Sequence, residues 1–444
     1  GEWATATMGV GKGTEVRILK ELHFPHSLGL LYSAFTAFLG FEVNEGEYKV
    51  MGMAPYGKPR YADIVRKLIS LNSDGSFQLN MNYFCFHYSP ERTFNSRFES
   101  LFGRPRESLS HFFTADTPYP SYYGAKPGNF MELAQENQRY ADIAASIQAV
   151  LEEALLNMAN ALYKETELKK LCLAGGVGLN GVANWRLLKE TPFKDIYVHP
   201  AAGDSGGAIG AALYAWHMLL GKPRSFVMEH AFWGEEYGDA EIADFLCSQG
   251  IKGEKVDDED RLIERVVELV KEGKVVGWFQ GRFEWGPRAL GNRSILADPR
   301  RQDMKDIVNT KIKFREPFRP FAPSVIIEKG GDFFDLDALH KHYPARFMLY
   351  VAPVKEGKKG IIPAVTHVDG TARLQTVIKE HNPLYYRLIT AFGEATGVPV
   401  LLNTSFNLKG EPIVNTPQEA YSTFMRSGMD ALVLGNWVIG KEQS

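Results

Sequence analysis

Cysteine is scarce in this sequence. Only three occur among its 444 residues, Cys85, Cys172 and Cys247, and they are widely spaced. Their odd number and the lack of a C-x-x-C pair exclude a disulfide framework and a thiolate metal site as the basis of the fold. The simplest expectation from this cysteine usage is a reducing, cytoplasmic setting.

The sequence also lacks a long hydrophobic run and an excess of basic residues. No apolar stretch is long enough to span a bilayer, so we expect no membrane partner. The formal net charge is −3, which argues against a general nucleic-acid binder. A composition that is 45% hydrophobic over this length instead predicts a globular protein of two or three domains.

The order of helix and strand patterns predicts an α/β protein with two domains. We expect a first domain over residues 1–230 and a second over residues 231–444, separated by a polar, turn-rich stretch. Residues 72–130 hold fourteen aromatics without a helical period, and we interpret them as an irregular insertion with its own small core. The alternative is that they form a wall of an acceptor pocket.

The first residues predict a β-hairpin with a turn from Gly9 to Gly13, followed by a buried helix that ends near Gly40. This hairpin has no preceding element to pair with, and the chain opens at Gly1 without Met. Our expectation is that the chain is a fragment or that an earlier segment was removed.

One glycine-rich loop of the first domain, AGGVGLN, follows an apolar strand pattern and precedes a helix pattern. Gly175 and Gly176 allow a backbone to approach a phosphate, and Asn180 stands at the helix N-terminus. The spacing fits neither the Walker nor the Rossmann pattern. A tight turn that serves only packing is an equally good interpretation of this loop alone.

A second loop, HPAAGDSGGAIG, places Asp204 between Gly203 and Gly206. An acidic side chain at the end of a strand can hold a divalent metal that bridges nucleotide phosphates. It can also cap the helix that follows. The two roles are compatible, and we expect both.

The second domain contains a concentrated basic segment. From Arg282 to Arg319 there are seven Arg and three Lys against two Glu and three Asp, an excess of five positive charges. Arg288 and Arg293 flank a glycine turn, with Asn292 beside them. Guanidinium groups on a tight backbone predict a site for a small phosphorylated or carboxylated ligand.

Two further pairs in this domain suit an anionic ligand. Lys313 and Arg315 are two residues apart, and on an extended segment they would point the same way. Ser405 and Asn407 have the same spacing at the end of a predicted strand and supply hydrogen-bond donors. Each pair alone is better explained as solvated surface, but together with Arg319 and the glycine turn they indicate one binding site.

A polar loop, THVDGTARLQTV, adds His367, Asp369 and Arg373. A lone histidine is more often a structural residue than a catalyst, so only Arg373 enters the predicted site.

With these residues in view, the chain resembles the antibiotic and nodulation-factor carbamoyltransferases over nearly its whole length. The stretches that carry the resemblance are PHSLGLLYSAFTAFLGF, KVMGMAPYGKP, AGGVGLN, GDSGGAIGAA, GRFEWGPRALGNRSILADPR, REPFRPFAPSV, HVDGTARLQTV and NTSFN followed by GEPIV. So many specific stretches in one order make a chance likeness improbable.

The resemblance implies a fold and a two-step reaction. The first domain would be similar to the actin-like ATPase fold of tRNA threonylcarbamoyl transferases, and the second to the YrdC-like enzymes that make threonylcarbamoyl-adenylate. The second domain would form carbamoyl-adenylate from carbamoyl phosphate and ATP, and the first would pass the carbamoyl group to a hydroxyl or amine of a small-molecule acceptor. The resemblance is also compatible with a homodimer.

The resemblance implies the following roles for single residues. Phosphate oxygens would be neutralised by Arg288, Lys313 and Arg319. Carbamoyl phosphate and ATP would be bound by Asn292, Arg293, Arg315, Arg373, Ser405 and Asn407. A nucleotide in the first domain would lie against Gly175, Gly176, Asn180, Gly203 and Gly206.

For the metal, which would be Fe2+, Mn2+ or Mg2+, the family carries a His-x-x-x-His pair and an Asp just upstream of the Gly-Glu-Trp at which this chain begins. Of that site only Asp204 is present. His23 and His26 have the wrong spacing and position to replace the pair. We therefore expect weak metal binding and an incomplete transfer step.

Two other functions stay open on the sequence. A tRNA-modifying threonylcarbamoyl transferase shares both domain types, but the near-neutral charge gives no basic face for tRNA. A non-catalytic nucleotide-binding regulator would keep the fold and lose the activity.

Overall fold

The computed structural model describes residues 3–117, 119–313 and 316–441. The chain divides into two compact units. The first consists of Gly1–Val227 together with Glu316–Arg319, and the second of Met228–Arg315 together with Pro320–Ser444. We predicted one boundary after residue 230, and the return of four residues to the first unit was not foreseen. Both units mix helices and strands, so the predicted α/β class is confirmed.

The first unit has short strands around one long helix. Its strands are β1 (Ala4–Lys12), β2 (Glu15–His23), β3 (Ile69–Leu71), β4 (Phe77–Leu79), β5 (Lys170–Leu173) and β6 (Asp195–Val198). Its helices are α1 (Leu28–Phe38), α2 (Glu47–Met53), α3 (Ala62–Arg66), α4 (Ser96–Phe102), α5 (Phe130–Thr166), α6 (Gly181–Glu190) and α7 (Gly207–Tyr214).

The predicted hairpin is present, but its turn is shorter than expected. Strand β1 continues through Gly9 and Gly11 to Lys12, and β2 begins at Glu15. A Cβ on Gly9 would stand 2.6 Å from the carbonyl oxygen of Arg17 on the paired strand. Gly9 is therefore a close-packed strand residue, and the turn is confined to the residues around Gly13.

The core of the first unit is rich in aromatic rings, and the predicted helix that ends near Gly40 lies within it as α1. Phe35 and Phe38 of this helix contact Phe98 and Phe102 of α4, with ring centroids 5.0 to 6.0 Å apart. Much of the 72–130 insertion is thus part of the common core of the first unit and does not form the separate small core that was predicted. Phe318 is 2% exposed in the same core, where it contacts the rings of Phe41, Tyr56 and Phe112, and this anchors the four returning residues.

Helix α5 joins several segments of the first unit. Gly57 packs so closely on it that an added Cβ would lie 2.1 Å from the carbonyl oxygen of Ala141. The backbone N–H of Lys58 donates to Asp142 at 2.8 Å, and that of Tyr61 donates to Ser146 at 2.9 Å. The MGMAPYGKP stretch is therefore a packing element against α5.

The second unit is built on a larger sheet. Its strands are β7 (Glu254–Lys255), β8 (Val276–Phe279), β9 (Arg293–Ala297), β10 (Ala322–Ile326), β11 (Tyr350–Pro353), β12 (Thr371–Val377), β13 (Val400–Ser405), β14 (Ala431–Leu434) and β15 (Trp437–Gly440). Its helices are α8 (Asp239–Ser248), α9 (Glu259–Lys271), α10 (Met304–Val308), α11 (Ile327–Phe333), α12 (Pro383–Thr396) and α13 (Pro417–Arg426).

In the described residues these nine strands form one sheet, here called the main sheet, in the order β11-β12-β10-β13-β9-β8-β14-β15-β7. Strands β10 and β12 are parallel, as are β8 and β14, and the other pairs are antiparallel. Helices α9 and α12 bury apolar residues against it, among them Val266 and Ile389. Both segments have apolar residues at the spacing of one helical face.

Lys313 differs from its prediction. It ends a helical turn, Asn309–Lys313, instead of lying on an extended segment. Arg315 lies outside the described residues. Across the described ranges, no helix combines the length and the apolar content that crossing a membrane requires.

Candidate active site

One face of the main sheet carries a tightly held loop, residues 284–292. Gln375 of β12 donates to the carbonyl of Leu290 at 2.7 Å, and Asn403 of β13 donates to that of Ala289 at 3.2 Å. Trp278 of β8 donates to the carbonyl of Gly291 at 2.8 Å. Because Asn403 also donates to Gln375 at 2.8 Å, these polar groups share one face of the sheet.

Glu284 holds the same loop from inside. Its Oε1 accepts the backbone N–H groups of Leu290, Asn292 and Arg293 at 2.7, 2.8 and 3.2 Å. Burial raises the pKa of this carboxyl, while those N–H groups and Arg293 oppose the rise. Glu284 was not among the predicted site residues, although an acidic residue between Phe283 and Trp285 was a visible signal.

Gly291 fits where a side chain would not. Its φ is +111°, and a Cβ would lie 2.3 Å from the ring of Tyr385 on α12. The glycine thus lets the loop lie flat against the helix. The loop is fixed from three directions, by the sheet, by Glu284 and by α12.

The structure separates the two arginines that flank this turn. Arg293 begins β9 and is fully buried, with its guanidinium donating to the carbonyls of Gln280 at 2.6 Å and Gly281 at 3.1 Å. It also stacks on Phe279, 3.7 Å from the ring centre, and burial lowers its pKa to about 10. These contacts occupy Arg293 as a structural residue and do not support its predicted contact with substrate. Arg288 lies within the loop and is only half-buried.

Asn292 is likewise occupied by the protein. Its amide donates to the carbonyl of Arg282 at 2.7 Å, and its Oδ1 accepts from Asn382 at 2.8 Å. It is 7% exposed, which suits a role in fixing the loop rather than the predicted role in binding substrate.

Arg373 and Ser405 extend the loop-bearing face. Side chains two residues apart on a strand share a face, so Arg373 accompanies Gln375 on β12 and Ser405 accompanies Asn403 on β13. The structure therefore brings Arg373, Ser405 and the loop that carries Arg288 to one side of the main sheet.

Lys313 joins the predicted Ser405 and Asn407 pair. Its Nζ lies 2.5 Å from the Ser405 carbonyl oxygen, 3.0 Å from the Asn407 carbonyl oxygen and 2.7 Å from Asn407 Oδ1. Ser405 Oγ donates to the same Oδ1 at 2.8 Å. Lys313 is 4% exposed, and a buried ammonium needs such oxygens around it. The predicted proximity of these three residues is confirmed.

His367 lies near the positive charges of Arg373 and Lys305. Burial, together with the nearby charges of Arg373 and Lys305, lowers the pKa of His367 to about 4, and Asp369 opposes this shift. His367 Nδ1 lies 3.1 Å from Thr371 Oγ1, and within the described residues its buried Nε2 has no hydrogen-bond partner. A neutral imidazole beside two cations suits an anionic ligand. Lys305 was not singled out, since its helix gave no signal of a site.

Arg319 has other neighbours than predicted. It belongs to the first unit, where it lies 4.8 Å from the ring centre of Tyr48 and 3.5 Å from Glu316. These contacts give no support to its predicted part in neutralising phosphate in the second domain, which stays a prediction.

In the first unit, the AGGVGLN loop lies between β5 and α6. Gly175 has φ of +95°, and its N–H donates to the carbonyl of Ala202 at 2.7 Å. Asn180 caps α6 through Ala183 at 3.0 Å and exchanges two hydrogen bonds with Gln148, also 3.0 Å each. Asn180 is therefore held in place by the protein itself.

Asp204 lies in the second glycine loop and is exposed. It begins a short helical turn, Asp204–Gly206, and the N-cap of the following helix α7 is Gly206, so Asp204 does not occupy the predicted cap position. Gly203 precedes it, and a Cβ on Gly206 would lie 2.2 Å from the Ala201 carbonyl oxygen. Among the residues the structure describes, no group of three or more His, Cys, Asp or Glu side chains is arranged to hold a metal. Asp204 alone does not make a metal site.

Comparison with known proteins identifies the class. The family model described as Carbamoyltransferase N-terminus matches residues 1–213, and the one described as Carbamoyltransferase C-terminus matches residues 267–441. The chain belongs to the carbamoyltransferase family and is an enzyme of the transferase class, which confirms the resemblance drawn from its motifs.

The relatives include proteins of different bacteria. An uncharacterised protein of Synechocystis sp. is 47% identical over 99% of this chain and 71% of that protein. Nodulation protein NolO of Bradyrhizobium diazoefficiens is 37% identical over 99% of this chain and 74% of that protein. The 3'-hydroxymethylcephem-O-carbamoyltransferase of Amycolatopsis lactamdurans is 34% identical over 74% of this chain and 60% of that enzyme. The chain thus spans only part of each relative.

Among solved structures, full-length HypF is similar to 44% of this chain and 23% of its own, with 17% identity and a TM-score of 0.29. A likeness this slight adds nothing to the site.

Proposed function

We propose that this chain is an ATP-dependent carbamoyltransferase in which the second unit forms carbamoyl-adenylate from carbamoyl phosphate and ATP. In this proposal the second unit is YrdC-like and the first has the actin-like ATPase fold. The observation that supports the proposal best is the basic face of the main sheet, where Arg373, Ser405 and the loop of Arg288 lie on one side. Two phosphorylated substrates require such a concentration of cations and donors.

The chemistry explains why several cations are needed. Water hydrolyses carbamoyl phosphate to carbamate and inorganic phosphate, and an oxygen of the carbamate then attacks the α-phosphorus of ATP. Pyrophosphate leaves with the electron pair of the broken P–O bond. Arg288 and Arg373 would neutralise the phosphate oxygens on which negative charge accumulates. Lys305 adds a further positive charge near His367.

Lys313, Ser405 and Asn407 would serve the nucleotide side. In the structure Lys313 orders the Ser405–Asn407 turn through four oxygens within 3.3 Å of its ammonium. A phosphate that approaches would take the place of one of these oxygens. The same cluster then both shapes the turn and supplies charge.

The first unit would pass the carbamoyl group to a hydroxyl or amine of a small-molecule acceptor. Its two glycine loops are the proposed nucleotide contacts. A divalent metal would need ligands beyond Asp204, and no step proposed for the second unit depends on one.

Pyrophosphate release in the presence of ATP and carbamoyl phosphate tests the proposal. We expect Arg288→Ala and Lys313→Ala each to lower the rate by about 100-fold or more, since charge stabilisation of this kind contributes several kcal/mol. The matched control is Lys311→Ala, because Lys311 stands in the same helical turn but pairs with Asp430 at 3.2 Å. Circular dichroism checks folding, and Arg288→Ala keeps the test valid if the buried Lys313 is needed to fold.

Three results would overturn the proposal. Equal rates of pyrophosphate release in wild type and Arg288→Ala would show that the basic face takes no part in the reaction. ATP binding with no pyrophosphate release would indicate a nucleotide-binding regulator. Release that requires threonine and bicarbonate would indicate the tRNA-modifying pathway.

A further inference from the structure

A cavity of about 540 Å³ lies in the first unit between the 72–130 insertion and α5. Its walls come from two stretches of the insertion, around His111 and Tyr123, and from the first turns of α5, around Asn137. Ligand pockets for small molecules fall between about 300 and 1,000 Å³. The cavity is therefore large enough for a small organic molecule.

One side of the cavity is a continuous aromatic wall. The rings of His111 and Tyr123 are stacked in parallel, with centroids 3.8 Å apart and an interplanar angle of 1°. Tyr119 meets Tyr123 edge-on at 5.7 Å, and Phe113 meets Tyr119 at 5.1 Å. These rings form an aromatic surface with both ring faces and ring edges, against which another ring can pack.

The rest of the lining is polar and contains both signs of charge. Glu107 and Glu136 contribute carboxylates, and Tyr140 Oη donates to Glu136 at 3.0 Å. Arg106 is 4% exposed, and its guanidinium donates to the carbonyls of Leu39 and Ser110. Arg104 and Arg106 balance the two carboxylates, and Glu136 also lies 3.7 Å from Arg139, so the lining has no excess of positive charge. This balance disfavours a phosphate and favours a molecule rich in hydroxyl or amino groups.

Helix α5 connects the cavity to the AGGVGLN loop. Asn137 lines the cavity, and Gln148, eleven residues later, bonds Asn180 of that loop. Eleven residues are about three helical turns, so the two side chains share a face of α5 roughly 16 Å apart. Helix α5 therefore fixes the distance between a molecule held in the cavity and the loop.

We propose that this cavity binds a saccharide portion of the carbamoyl acceptor. The inference rests on the proposed function, in which the first unit transfers the carbamoyl group. Aromatic rings would pack on the faces of the sugar rings, while the carboxylates and Asn137 would accept and donate hydrogen bonds at their edges.

Saturation-transfer NMR and titration calorimetry on the whole chain test the proposal with two probes, neutral cellotriose and cationic kanamycin A. We expect at least one probe to bind, and Tyr123→Ala and His111→Ala each to weaken it about tenfold, since both variants break the stacked wall. Tyr123→Phe, which keeps the ring, should bind within about twofold of wild type. The matched control is Tyr88→Ala, because Tyr88 belongs to the same insertion but is 68% exposed outside the cavity.

Other outcomes would overturn the proposal. These are the failure of both probes to bind at millimolar concentration, equal binding by wild type and Tyr123→Ala, or binding of inorganic phosphate that is lost in Arg104→Ala. Pyrophosphate release needs no acceptor, so measuring it in the same preparations separates the two proposals. Pyrophosphate release without saccharide binding would contradict only this inference. Saccharide binding without pyrophosphate release would contradict the proposed adenylate step.

Discussion

The loop of the second unit at residues 284–292 and the glycine loop that carries Asp204 in the first unit contrast sharply. The former lies over a buried polar network, and its carbonyls and N–H groups are bonded to Glu284, Gln375 and Asn403. In the latter, Asp204 is exposed and is not the N-cap of the helix that follows. The second-unit loop is thus held by buried hydrogen bonds, whereas Asp204 is an exposed residue outside the cap position.

Removal of the Glu284 carboxylate, which holds the 284–292 loop from inside, should have the largest effect on stability. Glu284→Ala would leave three backbone N–H groups without their acceptor in a buried setting. We expect a loss of about 4 kcal/mol in the free energy of unfolding, because each unsatisfied buried donor costs about 1–3 kcal/mol. Urea denaturation measures this. Glu236→Ala, which removes an exposed carboxylate 3.4 Å from Arg282, should change stability by less than about 0.5 kcal/mol and is the control. A loss below about 1 kcal/mol in Glu284→Ala would show that the loop is supported from elsewhere.

Acid should weaken the second unit through His367. The folded pKa is about 4, below the ordinary value of 6.5, so the folded state favours the neutral imidazole. Its contribution is fully present above pH 6.5 and is lost as the pH falls through 4, by at most about 3 kcal/mol. Urea denaturation of wild type and His367→Gln between pH 7 and pH 4 measures the difference, since other groups titrate in both proteins. Parallel pH profiles would contradict the low pKa.

The smallest expected changes in stability are those of variants in the two glycine loops of the first unit, and they should differ between the loops. Asn180→Ala removes a helix cap and the pair of hydrogen bonds with Gln148, so we expect a loss of about 2 kcal/mol. Asp204→Ala removes an exposed side chain and should change stability by less than about 0.5 kcal/mol. Thermal unfolding of the two variants checks the contrast. A large loss in Asp204→Ala would mean that its carboxylate is structural after all.

Local patterns in the sequence were reliable wherever one face of an element is apolar. The spacing of Leu262, Val266 and Val270 predicted α9, and the apolar run before Ser405 predicted β13, because burial of a regular face selects a regular structure. The grouping of Lys313 with Ser405 and Asn407 was predicted, but the helical backbone at Lys313 was not. Two charged residues separated by one residue are too short a pattern to distinguish an extended segment from a helical turn.

The different contacts made by residues of the same type could not be predicted from the sequence. Arg288 and Arg293 look alike in the sequence, yet Arg293 begins a strand and is buried on the carbonyls of Gln280 and Gly281, whereas Arg288 lies within the loop and is half-buried. Likewise, Phe318 and Arg319 follow the basic cluster in sequence but contact aromatic rings of the first unit. Such outcomes depend on which carbonyls and rings distant segments bring near.

The sequence by itself determined the family, the α/β class, many of the helices and strands, and the grouping of Lys313 with Ser405 and Asn407. These follow from motifs and from short-range periodicity, which are local properties of the chain. Only the tertiary structure decided which polar side chains hold the 284–292 loop and which remain to meet a ligand. It also revealed the aromatic cavity, because hydrogen bonds and ring contacts between residues far apart in sequence exist only once the chain has folded.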